Sequence, residues 1–283
     1  MTPANKNLLA RVLTAVVLLP IVLWLIWYGG MPFALLIAAA AGVAAFEVNG
    51  LPWAPREEGA PPAPGRAISL SLCASVLVAA LIPIFLEKAA PSWLTTSGLI
   101  AALVILSLTD ALFFEHEQAR VPLRVGLAVL GAVYPGLLLS ALVPLRGLPH
   151  GIGWIILALA VTWMNDTCGY FAGRAFGRHK LFPRVSPKKT WEGFAGGLAA
   201  SIGGAVVVKL LFIPALAVPA AAAVGAGAGL LGPLGDLSES MLKRAFGTKD
   251  SGRLLPGHGG MLDRIDSLFF TAPFVLLCAR LFL

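Results

Sequence analysis

The chain has 283 residues, of which 58% are hydrophobic and only 12% are charged, and its formal net charge is +7. A soluble globular domain carries about 25% charged residues because it must cover its surface with polar groups, so this composition excludes an ordinary soluble domain. The basic charge alone could indicate nucleic-acid binding, but the sequence contains no RNA- or DNA-binding motif, and we predict no nucleic acid as a partner.

Nine apolar stretches are long enough to cross a bilayer, which takes about 20 mostly apolar helical residues. The first runs from about Leu8 to Tyr28 and ends in Trp24, Trp27 and Tyr28, aromatic residues typical of a membrane interface. It is too long for the apolar part of a signal peptide and no cleavage motif follows, so we expect a retained helix. The others lie at about 31–47, 67–86, 91–113, 124–145, 152–175, 193–213, 219–236 and 267–283.

These stretches predict an all-α, polytopic membrane protein with about nine transmembrane helices. We expect one integral membrane domain over residues 1–283, in which residues 1–150 hold helices one to five and residues 151–283 hold helices six to nine. Gly193 and Gly197 are four residues apart, as are Gly225 and Gly229. Glycines at this spacing share one helical face, which predicts close helix packing in lipid.

The Lys and Arg residues are distributed unevenly between the two sides of the membrane that nine spans define. If the N-terminus is cytoplasmic, the N-terminal tail and the even-numbered loops are cytoplasmic too. Of the 21 Lys and Arg residues, only four then fall elsewhere: Lys88, Arg146, Lys209 and Arg280. Because basic residues concentrate in cytoplasmic loops, this distribution predicts an N-in, C-out topology. Most of the cytoplasmic basic residues lie in two loops, after helices six and eight, and this is more than orientation requires.

The loop after helix eight combines carboxylates, cations and glycines. Asp236 lies where helix eight should leave the membrane; if the helix continues, Ser240 lies one turn further on the same face and Glu239 can pair with Lys243. Carboxylate oxygens suit Mg²⁺, and Lys and Arg stabilise charge on phosphates. The segment therefore predicts phosphate chemistry at one membrane face, although charges that only set topology and pair among themselves are an alternative.

The same segment ends in a glycine-rich turn and a pair of carboxylates. Pro256, Gly259 and Gly260 demand an irregular loop whose backbone can approach a ligand closely. Asp263 and Asp266 follow three residues apart at the start of helix nine, so one helical face can present both.

A second group of polar residues begins inside helix six. Asn165 and Asp166 lie near its cytoplasmic end, and an ionisable residue within a span indicates function. The loop that follows contains Ser186, Lys188, Lys189 and Thr190, which could cradle phosphates or could be a solvated loop; it is not a P-loop. Two further carboxylates near helix ends, Glu47 and Asp110, are explained by solvation and are assigned no role.

The run from Ser240 to Asp266 resembles the signature of the phosphatidate cytidylyltransferases, also called CDP-diacylglycerol synthases. The matching residues are Ser240, Leu242, Lys243, Arg244, Lys249, Asp250, Gly252, Leu255, Pro256, His258, Gly259, Gly260, Met261, Asp263, Arg264, Ile265 and Asp266. The segments Asn165-Asp166 and 186–193 are also similar to that family. The specific resemblance covers roughly residues 160–270, and residues 151–283 would then be the catalytic part.

The resemblance implies that CTP and phosphatidate give CDP-diacylglycerol and pyrophosphate at the cytoplasmic face of the cell (inner) membrane, with Mg²⁺ as the cofactor. By analogy, Asp236 and Asp263 are the metal ligands. The implied catalytic set also includes four basic residues that would bind phosphate groups: Lys243, Arg244, Lys249 and Arg264. Three further residues complete it: Asp250, His258 and Asp266. The implied substrate-binding set is Asn165, Asp166, Ser186, Lys188, Lys189, Thr190, Ser240, Gly259 and Gly260.

Other functions and features stay open at this point. A CTP-dependent polyprenol or lipid kinase would use similar residues but transfer the γ-phosphoryl group. A transporter of an anionic substrate should show internal repeats and broken helices, and no such repeat is present. The sequence leaves open a second cation and a homodimer.

Overall fold

Long apolar runs form helices in this chain because a segment in lipid must satisfy every backbone N–H and C=O internally. The computed structural model describes residues 3–53, 70–87, 92–115, 118–252 and 259–282. The helices are α1 Pro3–Tyr28, α2 Gly30–Gly50, α3 Leu70–Glu87, α4 Ser92–Phe114, α5 Val121–Ala132, α6 Leu138–Ser140, α7 Leu142–Gly147, α8 Gly151–Phe176, α9 Trp191–Phe212, α10 Val218–Ala245 and α11 Leu262–Phe282. A π-helical turn, Val133–Leu137, joins α5 to α6.

Eight helical segments among the described residues are long and apolar enough to cross a membrane. They coincide with the second to the ninth predicted spans, α5 to α7 forming one of them, Gln118–Gly147. The prediction of an all-α, multi-pass membrane protein is thereby confirmed. The first predicted span lies in α1, whose side chains are described from Val16 onward, and Val16–Tyr28 is apolar.

Two helices extend past the predicted bilayer limits. Helix α10 continues beyond residue 236 to Ala245, and the chain then turns at Gly247, whose φ of 66° is the left-handed conformation that glycine adopts without strain. Helix α11 begins at Leu262, before the predicted start at 267. Asp236 therefore lies inside a helix rather than at its end, and Asp263 lies in the first turn of α11.

A short antiparallel hairpin connects α8 to α9 and was not predicted. Strand β1, Lys180–Phe182, pairs with β2, Ser186–Thr190, with Lys180 opposite Thr190 and Phe182 opposite Ser186. The sequence analysis treated residues 186–190 as a loop. Thr190 then caps the next helix, because its Oγ1 accepts a hydrogen bond of 3.2 Å from the backbone N–H of Gly193 at the start of α9.

The chain divides into two compact units. Unit 1 comprises Met1–Val143 and Ala245–Arg264, and unit 2 comprises Pro144–Arg244 and Ile265–Leu283. The single domain that we expected over residues 1–283 stays a prediction.

Unit 1 holds α1 to α6 and contains a buried ionic network. The Asp110 carboxylate, only 4% exposed, accepts hydrogen bonds from the Ser71 hydroxyl at 2.8 Å and from Arg124 Nη2 at 3.0 Å. The interpretation of Asp110 as a solvated helix end is therefore wrong: its charge is satisfied by neighbouring helices rather than by water.

In unit 2, glycines bring helices close together, as their spacing predicted. A methyl group added at Gly193 would lie 2.7 Å from the carbonyl oxygen of Gly169 in α8. A methyl group added at Gly225 in α10 would lie 2.7 Å from both Ile202 Cα and the Ser201 carbonyl oxygen in α9. Backbone atoms are the neighbours in both cases, so these contacts leave no room for a side chain.

Replacing Gly225 with Ala should destabilise unit 2. The added methyl group must push α10 away from α9, and overpacking of this kind costs about 1–3 kcal/mol. Thermal unfolding in detergent measures the loss. Gly203→Ala is the matched control, because Gly203 lies in α9, the helix that Gly225 contacts, with no neighbouring atom within 4 Å of an added methyl group. Equal melting temperatures for the two variants would contradict the close contact at Gly225.

Candidate functional site

A pocket of about 410 Å³ opens within unit 2 and mixes charged with apolar side chains. Its charged lining residues are Asp166, Arg174, Lys188, Lys189 and Asp236. Its apolar and aromatic lining includes Tyr170, Leu181, Phe194 and Pro233. The pocket can therefore accept an anionic group and an apolar group side by side.

The centre of this charged lining is an ion pair between Lys189 of β2 and Asp236 of α10. Lys189 Nζ lies 2.6 Å from Asp236 Oδ2, and both side chains remain partly exposed, at 24% and 29%. Ser240, one helical turn along α10, donates a hydrogen bond of 3.4 Å to Asp236 Oδ1. Helix α10 continues past Asp236, and the pair between Glu239 and Lys243 that was expected in that case forms, with its closest atoms 2.6 Å apart.

Two more carboxylates lie near this pair. Asp166 of α8 and Asp266 of α11 interact electrostatically with Asp236, and both also interact with the Lys189 ammonium. Three acidic side chains from three helices thus interact electrostatically with one lysine within unit 2. Like charges so arranged repel one another and favour the binding of a cation.

Asn165 supports the pocket from inside the helix bundle. Its amide group donates hydrogen bonds to the Gly229 carbonyl oxygen at 2.9 Å and to Ser201 Oγ at 3.1 Å. Gly229 needs such a donor because Pro233, four residues later in α10, has no N–H to complete the helical hydrogen bond. Asn165 therefore holds α8 against α9 and α10 and positions its neighbour Asp166.

Four of the predicted substrate-binding residues lie on strand β2 of the hairpin: Ser186, Lys188, Lys189 and Thr190. Lys188 is exposed and Thr190 is buried, and both line the pocket, as does Asn165. Ser186 is partly buried at the far end of β2 and is not among the residues that line the pocket.

The motif residues from Lys249 to Arg264 belong to unit 1, where the Asp263 carboxylate accepts hydrogen bonds from nearby residues of the same segment. Asp263 Oδ2 accepts hydrogen bonds from the Ser251 hydroxyl at 2.8 Å, the Ser251 N–H at 3.2 Å and the Gly260 N–H at 3.4 Å. Gly259 has a φ of 83°, which favours glycine.

The predicted cations and metal ligands are divided between the two units. The exposed residues of this set in unit 1 are Lys249, Asp250 and Arg264. Arg244, the last residue of the α10 segment in unit 2, is also exposed. His258 lies outside the described residues. The predicted metal ligands Asp236 and Asp263 belong to units 2 and 1, respectively. Their pairing stays a prediction.

Sequence analysis missed Glu47, which the structure places at the motif segment. The Glu47 side chain is only 2% exposed, so its interpretation as a solvated helix end is wrong. Its carboxylate accepts hydrogen bonds from the N–H groups of Met261 and Leu262, at 3.0 and 2.7 Å. The available signal was an ionisable residue inside an otherwise apolar span.

Comparison with known proteins agrees with the motif. The sequence model of the Cytidylyltransferase family matches residues 9–282. A phosphatidate cytidylyltransferase of Brucella suis is 38% identical over 280 residues, covering 98% of this chain and 95% of the relative. The enzyme of that name from Bacillus subtilis is 32% identical and covers 96% of this chain and 97% of the relative. The one from Staphylococcus epidermidis is 34% identical, with coverages of 93% and 95%.

Proposed function

The chain belongs to the cytidylyltransferase family, and from that premise we propose that it transfers the cytidylyl group of CTP to phosphatidate, giving CDP-diacylglycerol and pyrophosphate. The observation that carries the proposal is the pocket of unit 2, in which Lys189 and Asp236 form an ion pair beside the aromatic side chains of Tyr170 and Phe194. A lipid with a phosphate head group requires both kinds of surface in one site.

The proposed reaction needs no nucleophile from the protein. An anionic oxygen of the phosphatidate phosphate attacks the α-phosphorus of CTP and forms the new P–O bond. The bond from the α-phosphorus to the oxygen that bridges it to the β-phosphorus breaks, and that oxygen leaves with the pyrophosphate. The protein must therefore position the two anions and stabilise the charge that develops between them.

Cations on the pocket wall can do both tasks. Lys189 is held in place by Asp236 and by the Pro233 carbonyl oxygen, to which its ammonium donates at 3.4 Å. Lys188 and Arg174 supply two further positive charges on the same wall. In this proposal they bind the phosphates of CTP or the head group of phosphatidate.

The unit 2 carboxylates fit the Mg²⁺ that the family resemblance implies. In the part of the chain that the structure describes, no three His, Cys, Asp or Glu side chains form a metal-binding group by themselves. Mg²⁺ commonly needs only one or two carboxylates, because substrate phosphates and water complete its octahedral shell. Asp236 is the proposed ligand, with Asp166 and Asp266 adding negative charge; Mg²⁺, when bound, would neutralise the phosphates.

The location of the reaction completes the proposal. The distribution of Lys and Arg supports a cytoplasmic location for the N-terminus and the motif loops. The bacterial relatives support the inner membrane as the location. Phosphatidate would reach the pocket from the lipid phase, and CTP from water.

Labelled CTP distinguishes this function from the kinase alternative. Detergent-purified protein with phosphatidate, Mg²⁺ and α-labelled CTP should place the label in lipid, and γ-labelled CTP should give labelled pyrophosphate in water. A CTP-dependent lipid kinase gives the reverse: the γ-label enters lipid and the α-label stays in soluble CDP. Transfer of the γ-label to lipid, or no label in lipid from either α-labelled or γ-labelled CTP, would exclude the proposed reaction.

A further inference from the structure

Glu47 connects two stretches of the motif segment that lie far from it in sequence. All of these residues belong to unit 1. The carboxylate accepts from Ser251 Oγ at 3.2 Å on one side and from the N–H groups of Met261 and Leu262 at 3.0 and 2.7 Å on the other. Three donors occupy most of the about four acceptor positions of this buried carboxylate.

Two glycines of the motif segment pack against the Glu47 carboxylate. A methyl group added at Gly252 would lie 2.7 Å from Glu47 Oε1, and one added at Gly260 would lie 2.8 Å from Oε2. Both glycines are therefore packed directly on the carboxylate. The glycines of the motif thus have a second purpose besides loop geometry, which is to let the segment close around Glu47.

The Ser251 hydroxyl links Glu47 to Asp263. Ser251 Oγ lies 2.8 Å from Asp263 Oδ2 and 3.2 Å from Glu47 Oε2, so the two carboxylates share one hydroxyl donor. The Met261 and Leu262 N–H groups, at the start of α11, are held by Glu47 immediately before Asp263 and Arg264. Hydrogen bonds therefore connect Glu47 to Asp263 through Ser251 and to the backbone that leads into Arg264.

We propose that Glu47 is a positioning residue for cytidylyl transfer: from helix α2 it sets the positions of Ser251 and of the first turn of α11, and so of Asp263 and Arg264. The inference rests on the proposed function for its catalytic consequence. The claim that the Glu47 carboxylate holds Ser251 and the start of α11 together depends only on contacts within unit 1.

Glu47→Gln tests the proposal with little change in size. A glutamine amide presents one oxygen and one NH₂ group, so in either orientation an N–H donor meets the N–H of Met261 or Leu262. We expect kcat to fall about 10- to 100-fold, the size of effect that misplacement by about 1 Å produces. We expect the KM for CTP to stay within about threefold of the wild-type value, because the pocket residues Lys188 and Lys189 are unchanged.

Asp110→Asn is the matched control. Asp110 is also a buried carboxylate of unit 1 with several donors, but these are Ser71 and Arg124 rather than motif residues. It should lower the melting temperature at least as much as Glu47→Gln and keep kcat, per folded protein, within about twofold of the wild type.

Hydrogen exchange of the full-length protein in detergent gives a readout that does not depend on activity. Peptides containing Met261 and Leu262 should exchange faster in Glu47→Gln than in the wild type or in Asp110→Asn, while peptides from α8 and α9 stay unchanged. If Glu47→Gln does not insert into the membrane, Ser251→Ala tests the same link, because it removes only the hydroxyl between Glu47 and Asp263.

The outcomes are distinguishable. A kcat for Glu47→Gln equal to that of Asp110→Asn, or unchanged exchange at Met261 and Leu262, overturns the positioning role. A wild-type protein that transfers no cytidylyl group overturns the proposed function instead, and the exchange measurement then decides by itself whether Glu47 fixes the segment.

Discussion

Asp236→Asn is expected to lower kcat for CDP-diacylglycerol formation by about 10²- to 10³-fold, the loss typical of removing one group that stabilises transition-state charge. Asn keeps the size of the side chain but removes its negative charge. The ion pair with Lys189, at 2.6 Å, is lost, and the proposed Mg²⁺ ligand is lost with it. Half-maximal activity should also require more Mg²⁺.

The fold should survive this change, because Asp236 is partly exposed and its helix is held by other contacts. Ser238→Ala is the control on the same helix, since the Ser238 hydroxyl donates only to the Leu234 carbonyl oxygen of its own helix among the described contacts. Incorporation of α-labelled CTP into lipid measures both variants, and detergent melting curves verify that both are folded. Activity of Asp236→Asn within about tenfold of the control would remove Asp236 from the proposed site.

Lys189→Met is expected to lower kcat/KM by about 10²-fold, with a higher KM for CTP. Met keeps an unbranched side chain of similar length and removes the ammonium group. Without that charge, Asp166, Asp236 and Asp266 lose the cation with which all three interact, and the pocket becomes more negative. An anionic substrate should therefore bind less well and react more slowly.

Two further variants separate local charge from charge in general. Lys189→Arg should recover part of the activity, because the charge is restored but the planar guanidinium cannot take the place of a compact ammonium group. Lys180→Met removes a positive charge from the exposed neighbouring strand β1, and it should keep kcat/KM near the wild-type value. Steady-state kinetics with varied CTP measure all three, and equal losses for Lys189→Met and Lys180→Met would show that only net charge matters.

Features that depend on local periodicity could be predicted from the sequence. Helix α10 places Ser240 one turn from Asp236 and Lys243 one turn from Glu239, and both contacts form as the four-residue spacing predicts. Gly225 likewise faces a neighbouring helix closely, because only the spacing of small residues is needed to predict such a contact.

Features that depend on distant parts of the chain could not be predicted. Lys189 and Asp236 are 47 residues apart in the chain, and nothing in either local pattern indicates that they pair. Glu47 lies 204 residues before Ser251 and 215 before Leu262. Its neighbours in sequence suggest only an apolar helix, so its role becomes visible once the motif segment is placed beside it.

Hydropathy, helical spacing and a contiguous charged motif are local properties of the chain, so the all-α membrane architecture, the positions of most helices and the family could be predicted from it. Which carboxylates act together became visible in the folded protein: Asp166, Asp236 and Asp266 interact with Lys189 in unit 2, and Glu47 and Asp263 share Ser251 in unit 1. The physical reason is that a charge buried in a helical membrane protein is stable only beside its partners, and helix packing, not chain order, brings those partners together.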